Sequence, residues 1–216
     1  LPDCTNNNEN YSLQNAVYTV YTDANCKSPA TKDGKNVTLT TNENGKASVS
    51  GLPKGTYYVK DTTASEGFSL DTTVHPVDGT NDKDASAGVI SKTVTSSEIP
   101  KMDPINVLLT KTDSKGDNPQ PLTGAQFTVI YYSKIMDTDP GKAGEKVVAK
   151  WVFETKIPTG GKNAVVRYHE DFKVSGPDLY KNTNGVYAIP FGTVTVQETK
   201  APDGYQIDNT CLLYTS

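Results

Sequence analysis

The sequence predicts an all-β chain built as two tandem β-sandwiches, the second enlarged and lacking its last strand. Three observations carry that prediction: strand-type alternation, turn residues at short intervals, and an internal repeat. Alternation is plainest in K-V-V-A-K-W-V-F-E-T, which places Val147, Ala149, Trp151 and Phe153 on one face and Val148, Lys150, Val152 and Glu154 on the other. That is a strand with one buried side. The turn signals N-E-N-G-K (Asn42 to Lys46), P-K-G (Pro53 to Gly55) and N-T-N-G (Asn182 to Gly185) punctuate short apolar runs at sandwich spacing. The repeat pairs V-K-D-T-T-A-S-E-G-F, from Val59, with V-Q-E-T-K-A-P-D-G-Y, from Val196.

Both copies extend. L-P-K-G-T-Y-Y-V precedes the first and I-P-F-G-T-V-T-V the second, while S-L-D-T-T and Q-I-D-N-T follow them. A second pair, L-Q-N-A-V-Y-T-V-Y from Leu13 and L-T-G-A-Q-F-T-V-I from Leu122, marks where each unit begins. The expected domains are 1–104 and 105–216, each of a normal size for an independent core. The motifs lie further apart in the second unit, so its extra residues fall in an insert, 133–184.

Composition agrees. Of 216 residues 35% are hydrophobic, with 17 Gly and 13 Pro, and Thr, Val and Tyr crowd the strand-like runs, so the chain is globular and not disordered. A net charge of −4, with Lys and Asp interspersed, offers no basic patch for nucleic acid and no cationic amphipathic stretch for a membrane surface. No apolar window is long enough to span a bilayer and no signal peptide starts at Leu1, so the chain reads as an internal piece. L-P-D-C-T at the start has Cys where a sortase signal has Thr, and is not read as one.

Three motifs in order, L-L-T-K-T-D (Leu108 to Asp113), L-T-G-A-Q-F (Leu122 to Phe127) and E-T-K-A-P-D-G-Y (Glu198 to Tyr205), resemble the Cna protein B-type, or SpaA-type, isopeptide-forming domains of Gram-positive surface adhesins and pilins. The resemblance covers nearly all of the second unit and most of the first. It implies immunoglobulin-like sandwiches and a structural stalk or adhesin role on an extracellular, cell-wall-anchored protein. The anchor would lie in regions outside this chain. The implied partners are neighbouring domains of the same kind and a host matrix protein or glycan.

The resemblance also implies self-crosslinking, with Lys111 as nucleophile and Glu198 as proton shuttle. An amine attacks a carboxamide only when neutral, and apolar surroundings such as Val107 and Leu109 disfavour an ammonium ion. A protonated Glu198 would polarise the target carbonyl and pass a proton to departing ammonia. One amide bond would form once per domain, which is not enzymatic turnover. On residue types alone the two are equally a cross-strand ion pair, and Asp113, on the Lys111 face by alternation, competes as the lysine's partner. Lys115 and Lys134 read as solvated. The family's acceptor Asn, on a strand after E-T-x-A-P-x-G-Y, is absent from the chain. C-L-L-Y-T-S is what one frame of a common transposase adapter encodes, so Cys211 to Ser216 are read as a sequencing artefact and the edge of the second sandwich as unpaired, with a natural edge strand as the alternative.

The first unit has Asp61 where the second has Glu198 but no lysine before Lys27, so no family bond is expected there, and Asp61 reads as a relic or a surface group. In an extracellular sandwich Cys4 and Cys26 read as a disulfide, worth roughly 3 kcal/mol; two thiols are the alternative. No metal or cofactor is expected. D-S-K-G-D-N (Asp113 to Asn118) and M-D-T-D-P-G (Met136 to Gly141) lack a calcium loop's ligand series, and His75 and His169 sit at no ligand spacing from a Cys. H-E-D at His169 offers no hydrolytic constellation. Asn10-Tyr11-Ser12 and Asn36-Val37-Thr38 match glycosylation acceptors. The alternative function is a carbohydrate- or matrix-binding module, for which Trp151, Tyr131 and Tyr132 would have to be exposed.

Overall fold

The computed structural model describes residues 3–81, 85–86, 88–114 and 117–216, apart from the side chains of Ala85 and Val107. Lys115, read as solvated, lies outside the described residues, as do Leu1 and Pro2 of L-P-D-C-T and part of D-S-K-G-D-N. The chain is all-β and divides into two compact units, one running from Tyr11 to Pro100 and the other from Lys101 to Ser216. Residues 3–10, including a 3-10 turn at Asp3–Thr5, belong to the second unit although they precede the first. No helix among the described residues is long and apolar enough to cross a membrane.

The first unit's strands are β1 (Val17–Tyr21), β2 (Thr31–Lys32), β3 (Lys35–Asn36), β4 (Thr38–Thr40), β5 (Gly55–Thr63), β6 (Phe68–Ser69), β7 (Val74–Gly79), β8 (Ala85–Ser86), β9 (Val89–Ile90) and β10 (Ile99–Pro100). Its main sheet has the order β4-β1-β5-β7, while β10 pairs with β6. The core is small: Val20, Ala30 and Val37, flanked by Leu39, Leu52, Tyr57 and Val59. A second contact, Tyr11 edge-on to the fully buried Phe68, supports the β6 end.

In the second unit the strands are β11 (Met102–Pro104), β12 (Val107–Thr110), β13 (Gln126–Tyr132), β14 (Ala149–Glu154), β15 (Val165–Arg167), β16 (Lys173–Ser175), β17 (Ala188–Pro190), β18 (Thr193–Lys200) and β19 (Cys211–Thr215). The main sheet runs β16-β14-β13-β18-β19, with β12 paired to β15 and β11 to β17. The expected alternation holds within β14, where Ala149, Trp151 and Phe153 are buried and Lys150 is exposed. Val147 precedes the strand and is exposed. The insert is therefore structural. Its W-V-F-E strand lies against β13 along Gln126–Tyr131, and Trp151 sits at the centre of a core with Phe153, Tyr168, Val129, Ile189 and Val196. The Trp151 indole donates to Pro177 O at 3.0 Å, which satisfies its one polar group.

One expectation about the edge is overturned. The outer side of β18, expected to be bare, is paired by β19 from Thr193↔Thr215 to Gln197↔Cys211. Tyr214 closes the strand by donating its hydroxyl to Leu108 O. β19 stands where β7 stands in the first unit, since each pairs with the strand that carries the shared motif and begins equally far past Asp61 and Glu198. Ladders of this kind are made by main-chain groups and ask little of the side chains involved, so a bare edge accepts whatever strand follows.

Candidate functional site

Lys111 follows directly after β12. Its backbone is held on both sides, the N–H donating to Ala164 O and the carbonyl accepting from Leu122 N, each at 2.9 Å. Glu198 lies on β18, opposite Phe127 of β13. The two side chains meet: Lys111 Nζ donates to Glu198 Oε2 at 3.0 Å, with the lysine side chain 17% exposed and the glutamate 1%. The Phe127 ring centroid lies 6.0 Å from Nζ, at the outer limit of a useful cation–π contact. Leu109, Thr110, Val196, Asp208, Thr210 and Leu212 complete the walls of a cavity of about 110 Å³ beside the pair.

Glu198 has a further role that its motif alone does not advertise. Oε2 also accepts the Asp208 backbone N–H at 2.6 Å, and Oε1 is buried without a hydrogen-bond partner among the described residues. Asp208 Oδ1 in turn accepts from Thr210 N at 2.9 Å. The carboxylate thus fastens the A-P-D-G-Y loop back onto β18. Asp113, the possible rival for the lysine, turns instead to Gln120, whose N–H it accepts at 2.7 Å. Lys134 pairs with Glu145 at 2.7 Å on an exposed stretch.

The first unit repeats the loop fastening without the lysine. Asp61 is 1% exposed, so it is not a surface group. Its Oδ2 accepts from Asp71 N at 3.1 Å and Oδ1 from Thr63 N at 3.1 Å, while Asp71 Oδ1 accepts from Thr73 N. Tyr18, which faces Asp61 as Phe127 faces Glu198, donates its hydroxyl to Glu98 Oε1 at 2.7 Å, and Ser96 donates to Asp71 Oδ2 at 2.8 Å. Burial, reinforced by Asp61 and Asp71 and opposed by the Tyr18 hydrogen bond, raises the Glu98 carboxyl above its ordinary range. Burial, helped by Glu98 and Asp61, pushes the Tyr18 phenol to about 12. At Asp71 burial works upward, yet the bonds from Thr73, Ser96 and His75 outweigh it and hold the carboxyl at about 2.

The expected Cys4–Cys26 disulfide is not formed. Cys4 belongs to the segment that joins the second unit, while Cys26 occupies a left-handed turn of the first, at φ 53°, next to Asp23. The aromatics that a glycan-binding reading required are in the core, with Tyr131, Tyr132 and Trp151 at 1%, 3% and 0% exposure. Among the described residues no three His, Cys, Asp or Glu side chains converge as metal ligands.

Comparison with known proteins agrees with this architecture. The model of the SpaA prealbumin-like fold domain matches twice, over residues 4–93 and 105–213. The chain belongs to that family. Among solved structures, the Bacillus anthracis TIE protein is similar at 20% identity and a TM-score of 0.52, over 96% of this chain and 29% of its own. The pilus adhesin SpaC fragment of Lactobacillus rhamnosus GG aligns at 17% identity, TM-score 0.39, over 99% and 78%, and the minor pilin GBS52 of Streptococcus agalactiae at 19%, TM-score 0.26, over 95% and 78%. The chain thus spans less than a third of the TIE protein, and at that identity the likeness to it speaks to the fold alone. No curated protein matches the sequence.

Proposed function

We propose that the chain is a structural stalk or adhesin module of a Gram-positive cell-surface protein, with its second unit built to be locked by a single amide bond. The observation that carries the proposal is the Lys111–Glu198 contact at 3.0 Å, walled by Leu109, Phe127 and Val196, with Glu198 Oε1 buried and unpaired beside it. An unpaired buried carboxylate oxygen costs free energy unless something arrives to satisfy it. An acceptor carboxamide does so, since its N–H or, once Glu198 is protonated, its carbonyl meets Oε1.

The chemistry balances within the site. The lysine proton passes to Glu198, the neutral Nζ attacks the carboxamide carbon, and the protonated carboxyl stabilises the oxygen. The C–N bond to Nζ forms, the bond to the amide nitrogen breaks, and ammonia leaves with the transferred protons. Holding amine and amide in contact against the apolar walls of Leu109, Phe127 and Val196 supplies the rate, and the reaction happens once. Among the described residues the contacts of Nζ are with Glu198 and the Phe127 ring, so in this reading the acceptor carboxamide is supplied by the parent protein. The linkage makes the unit resist pulling and proteolysis, as a surface stalk must.

Intact-mass measurement tests this. The chain as written should show its unmodified mass, and the parent protein that carries it should be lighter by one ammonia for this unit. That loss should vanish in Lys111→Ala and form more slowly in Glu198→Ala. A parent of unreduced mass with the unit folded, or a loss that survives Lys111→Ala, would overturn the proposal.

A further inference from the structure

The chain enters and leaves the first unit from a single short stretch of the second. On the entering side, Asn8 is 5% exposed and its side-chain amide donates to Tyr131 Oη at 2.8 Å and to Phe191 O at 3.0 Å. Asn8 Oδ1 accepts from the Asn10 backbone N–H at 3.1 Å and from Asn10 Nδ2 at 2.8 Å. Asn10 Nδ2 also reaches Ser133 O at 2.6 Å and Phe191 O at 3.2 Å, and the Tyr131 hydroxyl donates to Phe191 O at 3.0 Å. Phe191 O is thus the common acceptor of two asparagines and a tyrosine. Gly192 makes the close approach possible, because a Cβ there would lie 2.2 Å from Tyr132 O. On the leaving side, Met102–Pro104 pairs with Ala188–Pro190, the three residues before Phe191.

We propose that residues 3–10 form a load-bearing strap, which carries tension applied at the start of the chain directly into the second unit and leaves the first unit as a side loop outside the force path. Both roots of that loop are fixed to Ala188–Phe191, so the first unit cannot be stretched while both hold. The arrangement suits the two cores. The first unit rests on Val20, Ala30, Val37 and their flanking residues, whereas sixteen buried hydrophobic residues form one cluster among the described residues of the second; the weaker unit is the one relieved of load. The strap does not depend on the amide proposed above, because none of its groups touches Lys111 or Glu198. It also explains why Cys4 is not with Cys26: the segment that carries it serves the other unit.

Single-molecule pulling of the intact chain tests the strap. With handles at the two termini, the first event should be strap release, a gain of about 30 Å, and unfolding of the first unit, a gain of roughly 300 Å at the reach of an extended chain, should only ever follow it. Moving the first handle to the exposed Gln14 puts the first unit in the path from the outset, so its unfolding should shift to lower force. Asn8→Ala with Asn10→Ala should reproduce the Gln14 record with terminal handles. Equal unfolding forces for the two handle placements would overturn the strap, as would first-unit unfolding ahead of strap release in the unsubstituted chain. The handle comparison needs no substitution in the strap, so it decides the matter even where the double variant folds poorly.

Discussion

Asp61 and Glu198 occupy the same place in two copies of one motif, and the structure gives them one shared duty and one difference. Each is buried and each accepts the backbone N–H of an aspartate ten residues further on. That aspartate then accepts from the threonine two residues beyond it. Only Glu198 also holds a lysine; Asp61 has Tyr18, Ser96 and Glu98 nearby instead. The motif carboxylate is therefore first a fastener of the loop that follows its strand. Pairing with lysine is a layer added to that duty, so the loss of the lysine need not release the acid.

The largest expected effect comes from removing both duties at once. Glu198→Ala leaves the Asp208 N–H unpaired and the Lys111 ammonium without its counter-charge in a half-buried site, which should cost the second unit about 3 kcal/mol. Glu198→Gln keeps an oxygen for Asp208 and should cost less. Trp151 is the sole tryptophan and is fully buried in the second unit, so its fluorescence in a urea titration reads this unit. If Glu198→Ala left the midpoint unmoved, the fastening role would be refuted.

Asp61→Ala removes only the fastening and should destabilise the first unit by about 1 kcal/mol, since the two N–H donors it orphans are only part-buried. Asp61→Asn should recover most of that, since one amide oxygen still accepts. Residue-resolved hydrogen exchange should show the loss at Thr63 and Asp71 with the second unit unchanged. Equal destabilisation by the Ala and Asn variants would mean that the charge, not the hydrogen bonds, matters at Asp61.

What could be read from the sequence follows the range of each interaction. The sandwiches were legible because alternation and turn residues are local, and the approach of Lys111 to Glu198 because each sits in a strong family motif. The fastening was not, although D-T-T and D-N-T stood in view as part of the repeat, because a carboxylate that bonds a main-chain N–H leaves no complementary side chain to notice. The destination of residues 3–10 was hidden more deeply. Asn8 and Asn10 act on Tyr131, Ser133 and Phe191, more than a hundred residues away, and asparagines in T-N-N-N-E-N look like any polar loop. Tandem repeats suggested that chain order is unit order, and the Cys4–Cys26 pairing failed with that assumption. Trp151 was already placed on a buried face by its own strand's alternation, which argued against its use as an exposed ligand contact.

The smallest effect separates the units by pH. In the first unit Glu98 is raised by burial and by its neighbours Asp61 and Asp71, with Tyr18, Ser96 and His75 completing the group. A carboxyl raised in the folded state stabilises that state below its ordinary value, and the contribution is lost as pH climbs through the raised one. Asp71, held at about 2, works oppositely: its contribution is full above the ordinary aspartate value and fades as pH falls toward 2. The first unit should therefore be most stable in mild acid and weaken toward neutrality. Glu98→Gln, which keeps an acceptor for the Tyr18 hydroxyl but cannot ionise, should abolish the neutral-side loss and leave the acid-side loss in place. Hydrogen exchange of β1 and β5 amides across that range reads the first unit alone. A Glu98→Gln chain that still weakened toward neutrality would assign the slope to another group and remove Glu98 from the comparison.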